Sequence, residues 1–370
     1  MFGVLSLPVA VGIEERESMT EPKTSLSCPF PISDFPVITM AHGGGGKLTS
    51  LLIDSIFRPL FASPALDAQH DSARLQVGNS RLAFTTDSYV VSPLFFPGGD
   101  IGTLSVTGTV NDLAMSGARP LYLSCGFILE EGFKTDLLVQ VVQAMKRAAA
   151  ISGVQIVTGD TKVVERGKGD GLFINTAGIG VIEHDLKIEP ASIRPGDAIL
   201  LSGDVGRHGV AILSAREGLQ FETAVQSDCA PLYSIVAALL KEGIELHCLR
   251  DLTRGGLATA LVELALSSRL SFTFKENQVP VGDEVRGACE ILGLDPLYCA
   301  NEGRMIAFVP EAQAERALAI VQSFSDGGQA TLLGQVSSHE SRNGRVVMSL
   351  RFGTERYIDR LSGEQLPRIC

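Results

Sequence analysis

Five acidic residues stand where apolar runs end or helices begin. They are Asp87 in "TTDSYVV", Asp112 in "TVNDLAMSGA", Asp160 in "VTGDTKVV", Asp204 in "LSGDVGRHG" and Asp251 in "LRDLTRGGLA". Each alone reads first as a helix cap or a turn residue. Several together suit another purpose: Mg²⁺ on a polyphosphate takes a few hard carboxylate oxygens around an open site, and strand ends are rigid places to mount them. Asn111, beside Asp112, adds one more oxygen donor. The run "HGGGGK" at 42–47 could serve the same ligand. The amides of Gly45 and Gly46 can approach an anion closely and Lys47 adds a point charge. The spacing is not that of a GxxxxGK[ST] loop, and a flexible linker is the competing reading.

Three further residues could act on a substrate. Lys162 lies two positions past Asp160, where it is either solvated or a partner for phosphate or a polarised oxygen. Glu302 sits in the Gly-containing turn "NEGR" between apolar runs. Beside a reactive thiol it could work as a base. The chain finishes "LPRIC", so its last residue, Cys370, is a thiol. Prenylation does not explain it, because that motif places Cys fourth from the end. His42 and His208 adjoin Gly-rich turns and could line a site; His70, His184, His247 and His339 read as incidental.

Elements must bring these residues together. At 370 residues, two domains are expected. A helical pattern follows the Gly run, with Leu48, Leu51, Leu52, Ile56 and Leu60 recurring at three and four. "RLAFTTDSYVV", "PLYLSCGFILE", "QIVTGDTKVV" and "GLFINTAGIGVI" read as strands. "DIGTLSVTGTVNDLAMSGARP" and "FKTDLLVQVVQAMKRAAAISG" read as helices, the second with Thr135 at its N-cap and Gly153 at its exit. A second unit opens at "IRPGDAILL". Residues 36–188 and 189–352 are therefore expected to form two domains. Residues 1–35 are expected to be an extension, and 353–370 a mobile tail without apolar periodicity. Helices and strands mix without strict alternation, so the class is α/β, more closely α+β.

Bulk numbers narrow the partners. The formal charge of −11 argues against duplex nucleic acid, though not against a nucleotide held by local groups. The first 13 residues are apolar but too few to span a bilayer, and they lack a basic segment before them. No membrane association is expected. The 7 Cys show no CxxC pair, so a structural zinc is not expected. Their odd number fits reduced thiols and a cytoplasmic location. Cys125 and Cys248, in apolar runs, read as small core residues.

The quoted segments, joined by "TGDTKVV", "RPGDAILLSGDVGRHG", "DLTRGGLATALVELA" and the terminal "LPRIC", resemble the carbamoyl dehydratases of [NiFe]-hydrogenase maturation, the HypE family. That family lies within the aminoimidazole ribonucleotide synthetase (PurM-like) superfamily, and the resemblance runs from about residue 36 to 370. It implies a two-domain PurM-like fold with a tail, N-terminal sheets joined in a homodimer, and ATP in clefts near that interface. Asp87, Asp112 and Asp251 match acidic positions that hold Mg²⁺ and phosphate, with Asp160 as a fourth. Lys47 and the Gly run match a mobile segment over the nucleotide. Lys162 and Glu302 match positions near the modified thiol, with the base assignment between them open. Cys370 matches the residue carbamoylated by the carbamoyltransferase HypF. On it ATP would convert the S-carbamoyl group to S-cyanide for the iron-scaffold proteins HypC and HypD. A tail of roughly 15 residues would reach on the order of 50 Å. Two other readings stand beside this one: a superfamily sibling acting on a free small molecule, and a non-catalytic maturation scaffold.

Overall fold

The computed structural model describes residues 37–61, 63–218, 225–324, 329–340, 344–361 and 368–370. The expected extension at 1–35, and part of the expected tail, lie outside them. The first unit is a five-stranded sheet built from β1 (Ala73–Val77), β2 (Ser80–Tyr89), β3 (Arg119–Glu130), β4 (Gln155–Val164) and β5 (Leu172–Val181), in the order β1-β2-β5-β3-β4. β5 alternates strictly in burial and β2 does so from Leu82 onward, as one-sided strands should. The inner face packs on α1 (Ile101–Met115) and α2 (Thr135–Ser152). The outer face carries Leu75, Phe84, Tyr122, Ile128 and Ile179, all exposed.

α1 is buried almost all round, which fits its run of small residues. Asp100 caps its N-terminus, accepting from the Thr103 N–H at 2.8 Å. At α2 the N-cap is Lys134 and Thr135 is the first helical residue, so the helix starts one position earlier than the sequence suggested. Gly153 ends that helix in the left-handed region, as expected. Cys125 and Cys248 are buried core residues.

The second unit is a seven-stranded sheet of β6 (Asp197–Leu201), β7 (Cys248–Asp251), β8 (Leu270–Lys275), β9 (Met305–Pro310), β10 (Thr331–Glu340), β11 (Val346–Ser349) and β12 (Glu355–Ile358). Its order is β12-β11-β8-β10-β6-β9-β7. β12 lies inside the segment read as a tail: Glu355–Ile358 pairs antiparallel with β11 and Ile358 is buried. Ordered structure thus runs past residue 352. The chain returns at 368–370, laid along residues 90–92 beyond β2. There the Val90 N–H donates to the Cys370 carbonyl at 3.0 Å and the Ser92 N–H to that of Arg368 at 3.3 Å.

The helix after the Gly run begins at Lys47, as read, but passes through a wider turn at Ile53–Phe57 before ending at Phe61. Of its residues only Ser55 is buried. Among the described residues, no helix is long and apolar enough to cross a membrane.

Candidate active site

A cavity of about 590 Å³ opens between the two sheets. Its floor is acidic. Asp71 precedes β1, Asp112 projects from α1 and Asp251 ends β7; one carboxylate oxygen from each lies within 4.8 Å of the others. Asp87, on β2, lines the same cavity and accepts from the Tyr89 hydroxyl at 3.2 Å. The Thr85 hydroxyl donates to Asp112 Oδ2 at 2.7 Å. Arg250 Nε reaches Asp71 Oδ1 at 2.9 Å, while Asp71 Oδ2 is buried without a partner.

So many carboxylates in little water shift one another upward. Loss of water raises Asp112, and Asp87, Asp251 and Asp71 add repulsion. Asp251 rises to about 6, burial leading and Arg250 opposing. Asp71 is likewise raised, again by burial first. Clustered hard oxygens, mutual repulsion and one orphaned buried oxygen are what a divalent cation relieves. The residues therefore fit Mg²⁺.

Above the acids stands Glu302. It is 3% exposed and its Oε1 has no partner. Burial, then Asp251, Asp228 and Asp87, raise its carboxyl well above the usual range. Its backbone is fixed on both sides. The Glu302 and Gly303 N–H groups each donate to the Asp228 carboxylate at 3.2 Å. The Glu302 carbonyl accepts from Asn111 Nδ2 at 3.3 Å.

Cys370 reaches into this cavity. Burial pushes its thiol up to about 12; Arg254 opposes the shift, while Glu302, Asp87 and Asp251 reinforce it. Ile369, next to it, is buried in a core cluster shared by the two units. The geometry thus gathers Asp87, Asp112, Asp251, Glu302 and Cys370, five residues the sequence singled out.

The family models place the same two units side by side. The N-terminal domain of AIR synthase related proteins matches residues 69–182 and the C-terminal domain residues 194–346. The carbamoyl dehydratase HypE of Azotobacter vinelandii is 51% identical over 333 residues, covering 90% of this chain and 97% of that protein. This chain belongs to the HypE family. The carbamoyl dehydratase HypE of Escherichia coli K12 is 45% identical over 338 residues, covering 90% of this chain and 99% of that protein. A solved HypE in complex with ATP shares 50% identity at a TM-score of 0.76, covering 90% of this chain and all of the other. A solved HypE–HypF complex gives 44% identity and a TM-score of 0.79, covering 84% of this chain and 99% of that one. The mixed α/β architecture is PurM-like, as expected.

Other residues that the sequence raised are placed differently within this HypE-family chain. Asn111 does not line the cavity. It spends its carboxamide on the Ala230 and Glu302 carbonyls and on the Leu232 N–H, at 3.0, 3.3 and 2.8 Å. Its side chain pins the two units together. Asp204 is bound by Arg304 at 2.8 Å and by Arg207, so it is structural. Asp160 and Lys162 pair at 2.6 Å on the exposed edge strand β4 and do not line the cavity. Lys47 Nζ pairs with Asp359 at 2.8 Å, not with the acidic floor. Gly46 is the N-cap of the helix that follows. Gly45 has a φ of +79°, and a Cβ there would stand 2.8 Å from the Arg254 Cβ. The Gly run is therefore shaped to approach the cavity rim, where Ser50, Asp54 and Arg58 of the same helical segment line the wall.

Sequence reasoning missed Asp71, although it too stands at a strand start. It missed Arg250, whose pairs with Asp71 and Glu263 lie at 2.9 and 2.7 Å. His70, set aside as incidental, lines the cavity. Its two ring nitrogens have no partner, and burial beside Arg250 and Arg74 lowers it to about 3, so it is neutral.

Proposed function

We propose that this chain dehydrates an S-carbamoyl group on its own Cys370 to S-cyanide at the expense of ATP. The observation that carries the reading is Cys370 seated in one cavity with Glu302 and the acidic floor. A carboxamide does not release its oxygen as hydroxide near neutrality. Transfer of the γ-phosphoryl to that oxygen breaks the terminal phosphoanhydride, gives ADP and makes phosphate the leaving group. Loss of the N–H proton then forms the C≡N bond and expels phosphate. The water removed ends as phosphate oxygen and two protons.

The residues divide this work. Arg250, Arg254, Arg58 and Arg360 line the cavity and can face a polyphosphate. Asp71, Asp87, Asp112 and Asp251 would hold Mg²⁺, which supplies charge neutralisation for phosphoryl transfer. Glu302, desolvated and without a partner at Oε1, is the group we assign to receive the N–H proton. A thiol held near 12 stays protonated in the cavity, so Cys370 is a poor nucleophile while docked. That suits a carrier charged elsewhere, which assigns loading to a carbamoyltransferase of the HypF kind. A scaffold of the HypC and HypD kind would receive the cyanide. The name of one solved relative pairs HypE with HypF, which supports the first of these partners.

We further assign the outer face of the five-stranded sheet to a second copy of this chain. Thr86 and Ser88 point to that face and also line the cavity, so a covering copy would complete the wall. Asp160 and Lys162 lie on the same face at the opposite edge, which makes a partner's Lys162 the alternative base or a phosphoryl contact.

Intact mass of the Cys370 peptide tests the reading. Carbamoylated protein given Mg²⁺ and ATP should lose one water at Cys370 as ADP appears. ATP consumption without that loss would instead favour a free small-molecule substrate. Neither change would leave a non-catalytic scaffold.

A further inference from the structure

The last three residues are held by more than their own tether. Each of their carbonyls has a donor. That of Arg368 accepts from the Ser92 N–H at 3.3 Å and from Arg216 Nη2 at 2.8 Å. That of Ile369 accepts from His208 Nε2 at 2.6 Å, and that of Cys370 from the Val90 N–H at 3.0 Å. Two side chains are also read. Ile369 is 6% exposed within a core cluster shared by the two units, and Arg368 donates Nε–H to the Val90 carbonyl at 3.0 Å while its guanidinium pairs with Asp170.

The two side-chain donors to these carbonyls come from one helix, α3 (Arg207–Arg216). His208 and Arg216 are eight positions apart, about two turns and roughly 12 Å along the axis. The carbonyls they reach belong to adjacent residues, so the long Arg216 side chain spans the remaining distance. His208 is fully buried, and burial lowers its pKa. Neutral, it must donate through Nε2 to the Ile369 carbonyl, leaving Nδ1 to accept from the Ser227 hydroxyl at 2.8 Å. Arg216 braces the wall as well as the tail, since it also donates to the Ser92 carbonyl at 2.8 Å. All of these contacts are made at 368–370 and none requires the residues before them.

We propose that the 90–92 backbone, His208 and Arg216 form a receptor for an Arg-Ile-Cys carboxyl terminus, which recognises that sequence itself and accepts it from a second copy or a free peptide as well as from its own chain. Hydrogen bonds to the three carbonyls supply the affinity and the Ile369 pocket and Arg368 contacts the selectivity. His208 and Arg216 are positioning residues: they place the thiol and do not touch the reacting atoms. The inference stands on the docking geometry and does not depend on the dehydratase reading.

Alkylation of Cys370 in the full chain tests it without any turnover. The rate is read by mass spectrometry of the terminal peptide under limiting iodoacetamide. Wild-type Cys370 should react slowly. Arg216→Ala, His208→Ala and Ile369→Asp should each speed it about tenfold by releasing the thiol to water. His208→Gln, which keeps an N–H donor, should restore much of the protection. Excess of a thiol-free peptide ending Arg-Ile-Ser should displace the native tail and speed alkylation of the wild type, whereas the same peptide with Asp for Ile should not. Ile369→Asp changes only the tail and guards against a receptor variant that unfolds. Equal rates in wild type and Ile369→Asp, or equal action of the two peptides, would overturn the proposal.

Discussion

Glu302 joins a buried, unpartnered carboxylate oxygen to a backbone clamped by Asp228. Glu302→Gln keeps the shape and removes the proton acceptor. Single-turnover dehydration should fall by about 10²–10⁴-fold, with nucleotide binding retained, as read by mass and by calorimetry. The acidic floor makes a second prediction. Asp251 is raised from 3.8 to about 6, so folding is favoured by its protonated form and that stability is lost as pH rises through this window. Asp112 and Asp71 are shifted in the same direction. Thermal scans should therefore show a Mg²⁺-dependent rise in Tm that grows from mildly acidic to mildly alkaline pH. An equal Mg²⁺ effect across that range would contradict the assignment of these carboxylates. Three of the four floor acids were legible because they close or follow long apolar runs. Asp71 was not, since it sits in "QHDSARL", where nothing but its neighbours in space marks it. The reverse happened at Asn111 and Asp204: each has the right residue type beside the right motif, yet Asn111 is consumed by bonds that join the two units and Asp204 by ion pairs inside the second.

At the scale of elements, the turn that carries Glu302 has no room to spare. A Cβ on Gly303 would collide with the Asp228 carbonyl. Gly303→Ala should cost about 1–3 kcal/mol in denaturant melts and loosen Glu302, so that activity falls more than stability alone explains. Some strands, such as β5 and β8, were legible because their burial alternates, and others, such as β6 and β9, because they are short apolar runs bounded by turn residues. The strand Glu355–Ile358 was not: three of its four residues are exposed, and so short an edge strand shows no period to read. The strand Gln155–Val164 was recognised as a strand, but its place at the sheet edge depends on order, which periodicity does not encode. That is why Asp160 and Lys162 pointed to the cavity on paper and lie on an exposed edge in the fold.

Across the whole molecule, the outer face of the five-stranded sheet leaves Phe84, Tyr122 and Ile179 exposed together. A contiguous apolar face of this kind is expected to be covered. On the pairing proposed above, Phe84→Arg should leave the chain monomeric in sedimentation experiments and lower dehydration through loss of a second copy's lysine at the cavity. An unchanged sedimentation coefficient would refute that use of the face. The strand that ends at Ile358 sets a limit on the carrier as well. Measured from that buried residue, twelve positions remain to Cys370 (370 less 358), a fully stretched leash of roughly 40 Å rather than the longer one that 353–370 suggested. Any protein that loads or unloads the sulfur must bring its own catalytic centre inside that radius, measured from this mooring on the second sheet.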